Sequence, residues 1–358
     1  MERKNTKVTL KEIAEKAGTS IGTVDRAINN RTGISEERKK KILTIADELG
    51  YKPNRIASAL RKSRSIKIGI SYPYVMEDFY TIVNAGIDAA AKELADYGLT
   101  IEKIRYETQD PELAYSHLKQ IDPRKYDGLI INSPGGRVGT LIDQFSQGGT
   151  PVITFNNDAP DTKRLFYVGS NPREAGMMAG ELMGMLLGGK GLVTVLGNFS
   201  RATPFIERFG GFCEYLQPNF PEIRLFPCSQ CNNDPEQATD LVVELLKRER
   251  EMKGLFCTGY TATIGAIQAL KALDRRDVKL VGFDISPKTV DAMEEQWCSA
   301  LIYQDPYQQG YMAVQLLMKH LLENWLPKTP KLYIENRIVL RSNLYAYEKK
   351  PLFTRVYW

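Results

Sequence analysis

Apolar residues recur three and four positions apart near the front of the chain, at Leu10, Ile13, Ala14 and Ala17, and this spacing predicts a short helix. Gly18-Thr19-Ser20 breaks the pattern, and a second helix is predicted over residues 21–29, with Val24 and Ile28 directed into a shared core. The stretch 29–33 reads as a turn. Ser35 then reads as the cap of a third helix, with Glu36 and Glu37 in its first turn, a buried stripe of Ile42, Ile45, Ala46 and Leu49, and Gly50 at its end. Two short helices joined by a three-residue turn containing glycine form the arrangement that lays the second helix into the DNA major groove.

Pro53 follows, with about two turns of moderate helix formers behind it (53–62), a helix too short to be stable alone in water. From Ile66 onward the texture changes. Apolar strands are predicted at 66–72, 99–106, 128–132, 151–156, 191–196, 223–228, 254–257, 279–283 and 300–303. Helical segments fall between them at 82–97, 111–121, 174–187, 205–216, 236–250, 262–273 and 308–323. Strict alternation of strand and helix argues for parallel sheets covered on both faces. So many strands exceed one compact sheet and predict two lobes with a cleft between them. In such sheets ligands sit beyond the carboxyl ends of the strands, which picks out Asn156-Asn157-Asp158, Thr258 to Tyr260, Asp284 and Gln304-Asp305. Each could equally be a helix cap or turn, and their recurrence at strand ends is the informative part.

Charge sharpens the division. The 358 residues carry 48 Lys+Arg and 43 Asp+Glu, a net of +5, but residues 1–65 hold 16 basic and 8 acidic side chains, so the head is +8 and the remainder −3. A basic head on a mildly acidic body suits binding to phosphates. Hydrophobic content of 43% with 25% charged residues is ordinary for a globular protein. No apolar run approaches a membrane span, and the first residues lack the apolar core of an export signal, so a cytoplasmic protein without a membrane partner is expected. The five cysteines, Cys213, Cys228, Cys231, Cys257 and Cys298, are scattered. The Cys228–Cys231 pair lacks a second pair or a nearby histidine to complete a zinc site, so no metal is expected. Gly188-Gly189-Lys190-Gly191 lacks the order of a phosphate-binding loop and precedes a strand. No nucleophile–base spacing is visible either, so neither an enzyme nor a cofactor is expected.

The segments 8–18, Thr23-Val24-Asp25-Arg26, 48–57 and Val281-Gly282-Phe283-Asp284 together resemble the lac repressor (LacI/GalR) family of bacterial transcription regulators, over about Lys7 to Leu344. The stretch 167–171 with Ala175-Gly176 looks like the ribose-type branch of periplasmic sugar-binding proteins, to which the family's body is similar. The resemblance implies an α/β protein: an all-α helix-turn-helix head (1–52), a hinge helix and linker (53–65), a two-lobed doubly wound parallel-sheet body (66–345) and a tail (346–358). It implies that Ile21, Gly22 and Arg26 read base edges, with Arg26 able to bond guanine bidentately. Thr9, Ser20, Thr23 and Asn29 become candidate phosphate contacts, Asn54 and Arg55 hinge contacts, and Leu60 the wedge that unstacks a central base step. Asp25 departs from the serine more common at its position.

In the body the resemblance places Asn156, Asn157, Arg208, Asp284 and Gln304 at ligand-contact positions, joined by Asp158, with Phe79, Tyr80 and Tyr74 as aromatic covers. Gly259 stands where a side-chain amide is usual, which leaves Thr258 or Tyr260 to fill that role. The implied partners are a near-palindromic double-stranded DNA operator, a small sugar-like effector and a second copy of the chain. A nucleoside, a polyol or a sugar acid are alternative ligand classes. Residues 345–358 carry no leucine heptads, which disfavours a coiled-coil tetramer.

Overall fold

The computed structural model describes residues 10–28, 33–49, 65–75, 77–108, 110–197, 203–231 and 234–348. The chain divides into two compact units, Met1–Arg64 and Ser65–Trp358.

Among its described residues the first unit holds three helices, α1 (Leu10–Ala17), α2 (Ile21–Ile28) and α3 (Glu36–Glu48), packed on Ile13, Ala14, Val24, Ala27, Ile42, Ile45 and Ala46. Gly18 makes the turn with φ of +64°, a left-handed conformation that glycine adopts without cost. Ser35 caps α3, its Oγ accepting from the Arg38 N–H. The segment proposed as a hinge, together with Thr9, Asn29, Asn54, Arg55 and Leu60, lies outside the described residues.

The second unit is two α/β lobes. Lobe one runs β1 (Ile66–Pro73), α4 (Glu77–Glu93), β2 (Leu99–Tyr106), α5 (Pro111–Leu118), β3 (Gly128–Ile131), α6 (Val138–Gln147), β4 (Val152–Phe155) and β5 (Tyr167–Ser170). The chain then crosses to lobe two, which comprises α7 (Pro172–Leu186), β6 (Lys190–Gly197), α8 (Thr203–Asn219), β7 (Glu222–Leu225), β8 (Ser229–Gln230), α9 (Pro235–Arg248), β9 (Met252–Cys257), α10 (Tyr260–Leu273), β10 (Lys279–Phe283), α11 (Pro287–Glu294) and β11 (Ala300–Tyr303). A second crossing sends α12 (Pro306–Glu323) back to lobe one, followed by β12 (Lys331–Ile334), and a third brings β13 (Arg337–Val339) to lobe two. The sheet orders are β12-β5-β4-β3-β1-β2 and β13-β11-β10-β9-β6-β7, with β8 beside β6. Among the described residues every pairing is parallel except β11 with β13.

The parallel two-sheet plan matches the expectation, and the strands at 99–106, 279–283 and 300–303 fall where the apolar pattern puts them. The pattern misses β5, β8, β12 and β13, and also α6 and α11. The missed strands have four residues or fewer and are defined by their neighbours: β5, for example, lies between β4 and β12. Lobe one buries Ile68, Ile70, Val83, Ile87 and Leu317 on one sheet face and Leu129, Ile131, Leu141 and Phe145 on the other.

Close helix packing fixes the elements that carry the site. A Cβ at Gly176 of α7 would stand 2.0 Å from the Arg208 main-chain oxygen of α8, and one at Gly211 of α8 would stand 2.0 Å from the Arg173 oxygen. In lobe one a Cβ at Gly86 would stand 2.1 Å from the Tyr307 oxygen, so α4 and α12 also meet backbone to backbone. No larger residue fits at these contacts without moving a helix.

The three crossings are laced together. Ser170 Oγ donates to Gln304 Oε1 (3.3 Å), Asn336 Nδ2 to the Asn171 oxygen (3.0 Å), and Arg337 Nη1 lies 3.1 Å from Asp305 Oδ2.

Candidate functional site

Two surfaces carry chemistry. On α2, Val24 is buried as its spacing predicts, Ala27 is buried beside it, Ile28 is only partly buried against the same core, and Ile21, Gly22 and Arg26 are exposed. At helical spacing these three share one face with the half-buried Asp25. Ile21 leaves almost half of its surface open, at 48%. A side chain at Gly22 would meet only Ser20 Oγ, at 3.8 Å. Ser20 itself is the cap of α2: its Oγ accepts from the Thr23 N–H at 3.2 Å and lies 2.9 Å from Thr23 Oγ1. Ser20 and Thr23 are therefore tied to each other at the helix start, where N–H groups and the helix dipole favour a phosphate.

The second surface lies at the carboxyl ends of the body strands, where the two lobes face each other. Three of its residues, Asn156 after β4, Asp284 after β10 and Asp305 after β11, take left-handed backbone angles, with φ of +60°, +66° and +49°. Asparagine and aspartate tolerate this region better than other side-chain-bearing residues, which accounts for their presence there.

Arg208, on α8, is 5% exposed and lies with its guanidinium 4.0 Å from the Phe283 ring centroid. Its Nη1 donates to the Thr258 main-chain oxygen (2.7 Å) and its Nη2 to Gln304 Oε1 (3.1 Å), while Nε has no partner among the described residues. Gln304 Nε2 in turn donates to both Asp284 oxygens, at 3.0 and 3.2 Å. Gln304 thus bridges a buried cation and a buried anion. Burial lifts the Asp284 carboxyl to about 6, against the opposing pull of Arg208 and Gln304, and burial lowers Arg208 to about 10. Charges held out of water in this way keep unused bonding capacity for a polar ligand.

On the lobe-one side, Asn157 Nδ2 donates to Asn132 Oδ1 (3.2 Å), and Asn132 Nδ2 donates to Asn156 Oδ1 (3.0 Å) and more distantly to the Tyr80 hydroxyl (3.4 Å). Asn156 Nδ2 donates to Gln309 Oε1 (2.9 Å). Tyr80 stacks on Tyr72 at 5.3 Å, and Phe79 meets Tyr80 edge-on at 5.2 Å. Both rings are nearly fully buried and help build the lobe-one core.

The structure therefore brings together Asn156, Asn157, Arg208, Asp284, Gln304 and Tyr80. Three other expected side chains are engaged elsewhere. The Asp158 carboxylate pairs with Arg164, Nη2 to Oδ2 at 2.7 Å, and accepts from Thr154 Oγ1 and the Ala159 N–H, so it anchors its own loop. The Thr258 hydroxyl donates to the Leu196 oxygen, and this residue contributes its carbonyl to Arg208 in place of its side chain. Tyr260 donates to Asp78 Oδ2 at 2.7 Å, joining α10 of lobe two to α4 of lobe one.

Gly259 has a spatial reason: a Cβ there would stand 2.8 Å from the Phe205 ring, which occupies that space beside Arg208. Sequence reasoning missed Asn132, Gln309, Phe205 and Asp78. Asn132 follows a strand and carried the same positional signal as Asn156; Gln309 lies inside a helix and carried none.

Residues 68–324 match the family of periplasmic binding protein domains, and residues 9–54 match the bacterial regulatory proteins of the lacI family. The chain is a lacI-family regulator with a periplasmic-binding-protein body. The regulator is 27% identical over 287 residues to the "Probable HTH-type transcriptional repressor ExuR" of Bacillus subtilis, covering 77% of this chain and 81% of that one. It is 26% identical over 310 residues to the maltose regulon regulatory protein MalI of Escherichia coli, covering 82% and 87%. Its fold is similar to the glucose-galactose binding protein GanP of Geobacillus stearothermophilus, with a TM-score of 0.74, 23% identity and coverage of 79% and 99%. These relatives of the regulator are DNA-binding regulators and sugar-binding proteins, not enzymes. Among its described residues no helix is long and apolar enough to cross a membrane, and no group of three or more histidine, cysteine or acidic side chains could hold a metal.

Proposed function

We propose that this regulator is a cytoplasmic, homodimeric repressor of genes for the uptake or breakdown of a sugar, controlled by that sugar or a close derivative in the cleft between the lobes. The observation that carries the ligand reading is the buried Arg208–Gln304–Asp284 bridge facing the Asn156–Asn132–Asn157 amides. A guanidinium, a carboxylate and neutral amides together offer the mixed donors and acceptors that vicinal hydroxyl groups require. The name of MalI, a maltose regulon regulatory protein, and the sugar-binding structures of like fold support the same ligand class.

Two heads read two half-sites of a near-palindrome, as the symmetry of a dimer demands. Ile21, Gly22 and Arg26 meet base edges, Thr9, Ser20, Thr23 and Asn29 meet phosphates, and the 53–62 segment with Asn54, Arg55 and Leu60 enters the minor groove. The ligand changes DNA affinity by binding one state of the lobes better than the other, and the coupling is reciprocal.

The test has two arms. Deleting residues 1–65 is expected to abolish binding to the operator while leaving ligand binding intact. A thermal-shift panel of pentoses, hexoses, polyols and sugar acids is expected to raise the melting temperature with a member of the sugar set. Operator binding by the truncated chain would overturn the head's role, and a panel without any shift would overturn the cleft's.

A further inference from the structure

Gln309, in the first turn of α12, is wholly buried. Its Nε2 donates to the main-chain oxygen of Gln304 at 2.7 Å, and its Oε1 accepts from Asn156 Nδ2 at 2.9 Å. A carbonyl oxygen can only accept, so Gln304 O holds the nitrogen end of Gln309 and turns the oxygen end toward Asn156.

The orientation propagates from there. Asn156 must offer its nitrogen to Gln309, so its Oδ1 accepts from Asn132; Asn132 then presents its own Oδ1 to Asn157 Nδ2. Four side-chain amides take their polarity from one backbone carbonyl at the second crossing. The Gln304 side chain is meanwhile fixed between Arg208 and Asp284. Polar groups of both lobes are thereby registered to a single residue.

We propose that Gln309 is the positioning residue of the effector site. It fixes which end of each lobe-one amide the ligand meets, and so which arrangement of hydroxyl groups is accepted. The proposal rests on the reading of the cleft as a sugar site. With the observed polarity the relay ends on Asn157 Oδ1, an acceptor, and the reverse polarity would put a donor there. A ligand hydroxyl can serve either, but its neighbours on the ring cannot all reverse with it.

Two variants of the full chain separate polarity from packing. Gln309→Leu keeps the volume and removes both bonds. Gln309→Glu keeps the acceptor for Asn156 but sets a carboxylate oxygen against Gln304 O until it is protonated. With D-glucose, D-galactose, D-arabinose and myo-inositol as calorimetric probes, Gln309→Leu is expected to weaken the parent's best probe about tenfold at every pH. Gln309→Glu should lose as much near pH 8 and recover, relative to the parent at the same pH, as the solution is acidified to about pH 5.5. Arg208, Asp284 and the Asp305–Arg337 pair are charged groups beside Gln304, and Asp158, Glu207 and Lys331 line a cavity with Asn156. They are common to all three proteins, so the ratio to the parent isolates the introduced carboxyl. Parent-like affinity of Gln309→Leu, or a pH-independent ratio for Gln309→Glu, would overturn the proposal.

A ligand-free arm uses Asn157→Ala, three hydrogen bonds from Gln309 along the relay. Its loss of melting temperature should fall to roughly half in the Gln309→Leu background, and full additivity would refute the relay. If neither these probes nor the wider thermal-shift panel bind the parent, the sugar reading fails, and this arm still decides the role of Gln309.

Discussion

Tyr260→Phe removes one oxygen from a bond that spans the cleft. The hydroxyl donates to Asp78 Oδ2 at 2.7 Å, and burial, the largest cause, raises it to about 12, so it remains a donor throughout the working pH range. A bond to a charged acceptor contributes about 1.5–3 kcal/mol when shielded. Asp78 is exposed and Tyr260 half-buried, so the contribution falls to about 1 kcal/mol after screening. Because this bond exists only when the lobes are together, its loss shifts the open–closed equilibrium by about fivefold.

Ligand affinity, measured by calorimetry on the full chain, is expected to weaken by that factor for Tyr260→Phe. Asp78→Ala should do the same, and the double variant should be no worse than either single one. Parent-like affinity for both single variants would refute the latch. A loss confined to Tyr260→Phe would show that the hydroxyl acts on the ligand and not on closure.

Asp284→Asn should stabilise the ligand-free protein. The folded-state pKa of Asp284 is raised to about 6, so the protonated form favours folding and that stability is lost as pH rises through 6. Denaturant unfolding near pH 8 should therefore find the variant more stable by up to about 3 kcal/mol, with the gain fading as the pH falls from about 6 to about 4, and a gain unaffected by pH would contradict the assignment. Gly176→Ala drives a methyl group against the Arg208 oxygen and should cost about 1–3 kcal/mol in chemical denaturation while weakening ligand binding. An unchanged midpoint would show that α7 and α8 separate freely. Arg26→Ala should cost about 1–3 kcal/mol of specific operator binding and relax preference at one base pair, whereas uniform weakening on all sequences in a mobility-shift series would make Arg26 a phosphate contact.

Sequence periodicity placed the three head helices and most strands of both sheets, because the alternation between core and solvent is a local property of each element. It also marked the exposed face of α2 by assigning Val24 to the core, although the structure completes the buried side with Ala27, where the spacing puts Ile28. At the strand ends it named Asn156, Asn157, Asp284 and Gln304 together with Asp158 and Thr258. It had no means of separating them: whether a polar side chain faces a cleft or bonds its own loop depends on partners distant in the chain, such as Arg164 for Asp158 and Leu196 for Thr258.

Only the tertiary structure decided the rest. The third crossing exists because β12 and β13 each find an edge to pair with. Gly259 is small because Phe205 fills its space, and Arg208 is placed by helices that touch through Gly176 and Gly211. Gln309 shows the limit most clearly. Nothing in its neighbourhood along α12 marks it, yet a single carbonyl across the fold gives its amide a direction and passes that direction to three asparagines. Amino-acid type sets what a group can donate or accept, and only packing sets which of those bonds it makes.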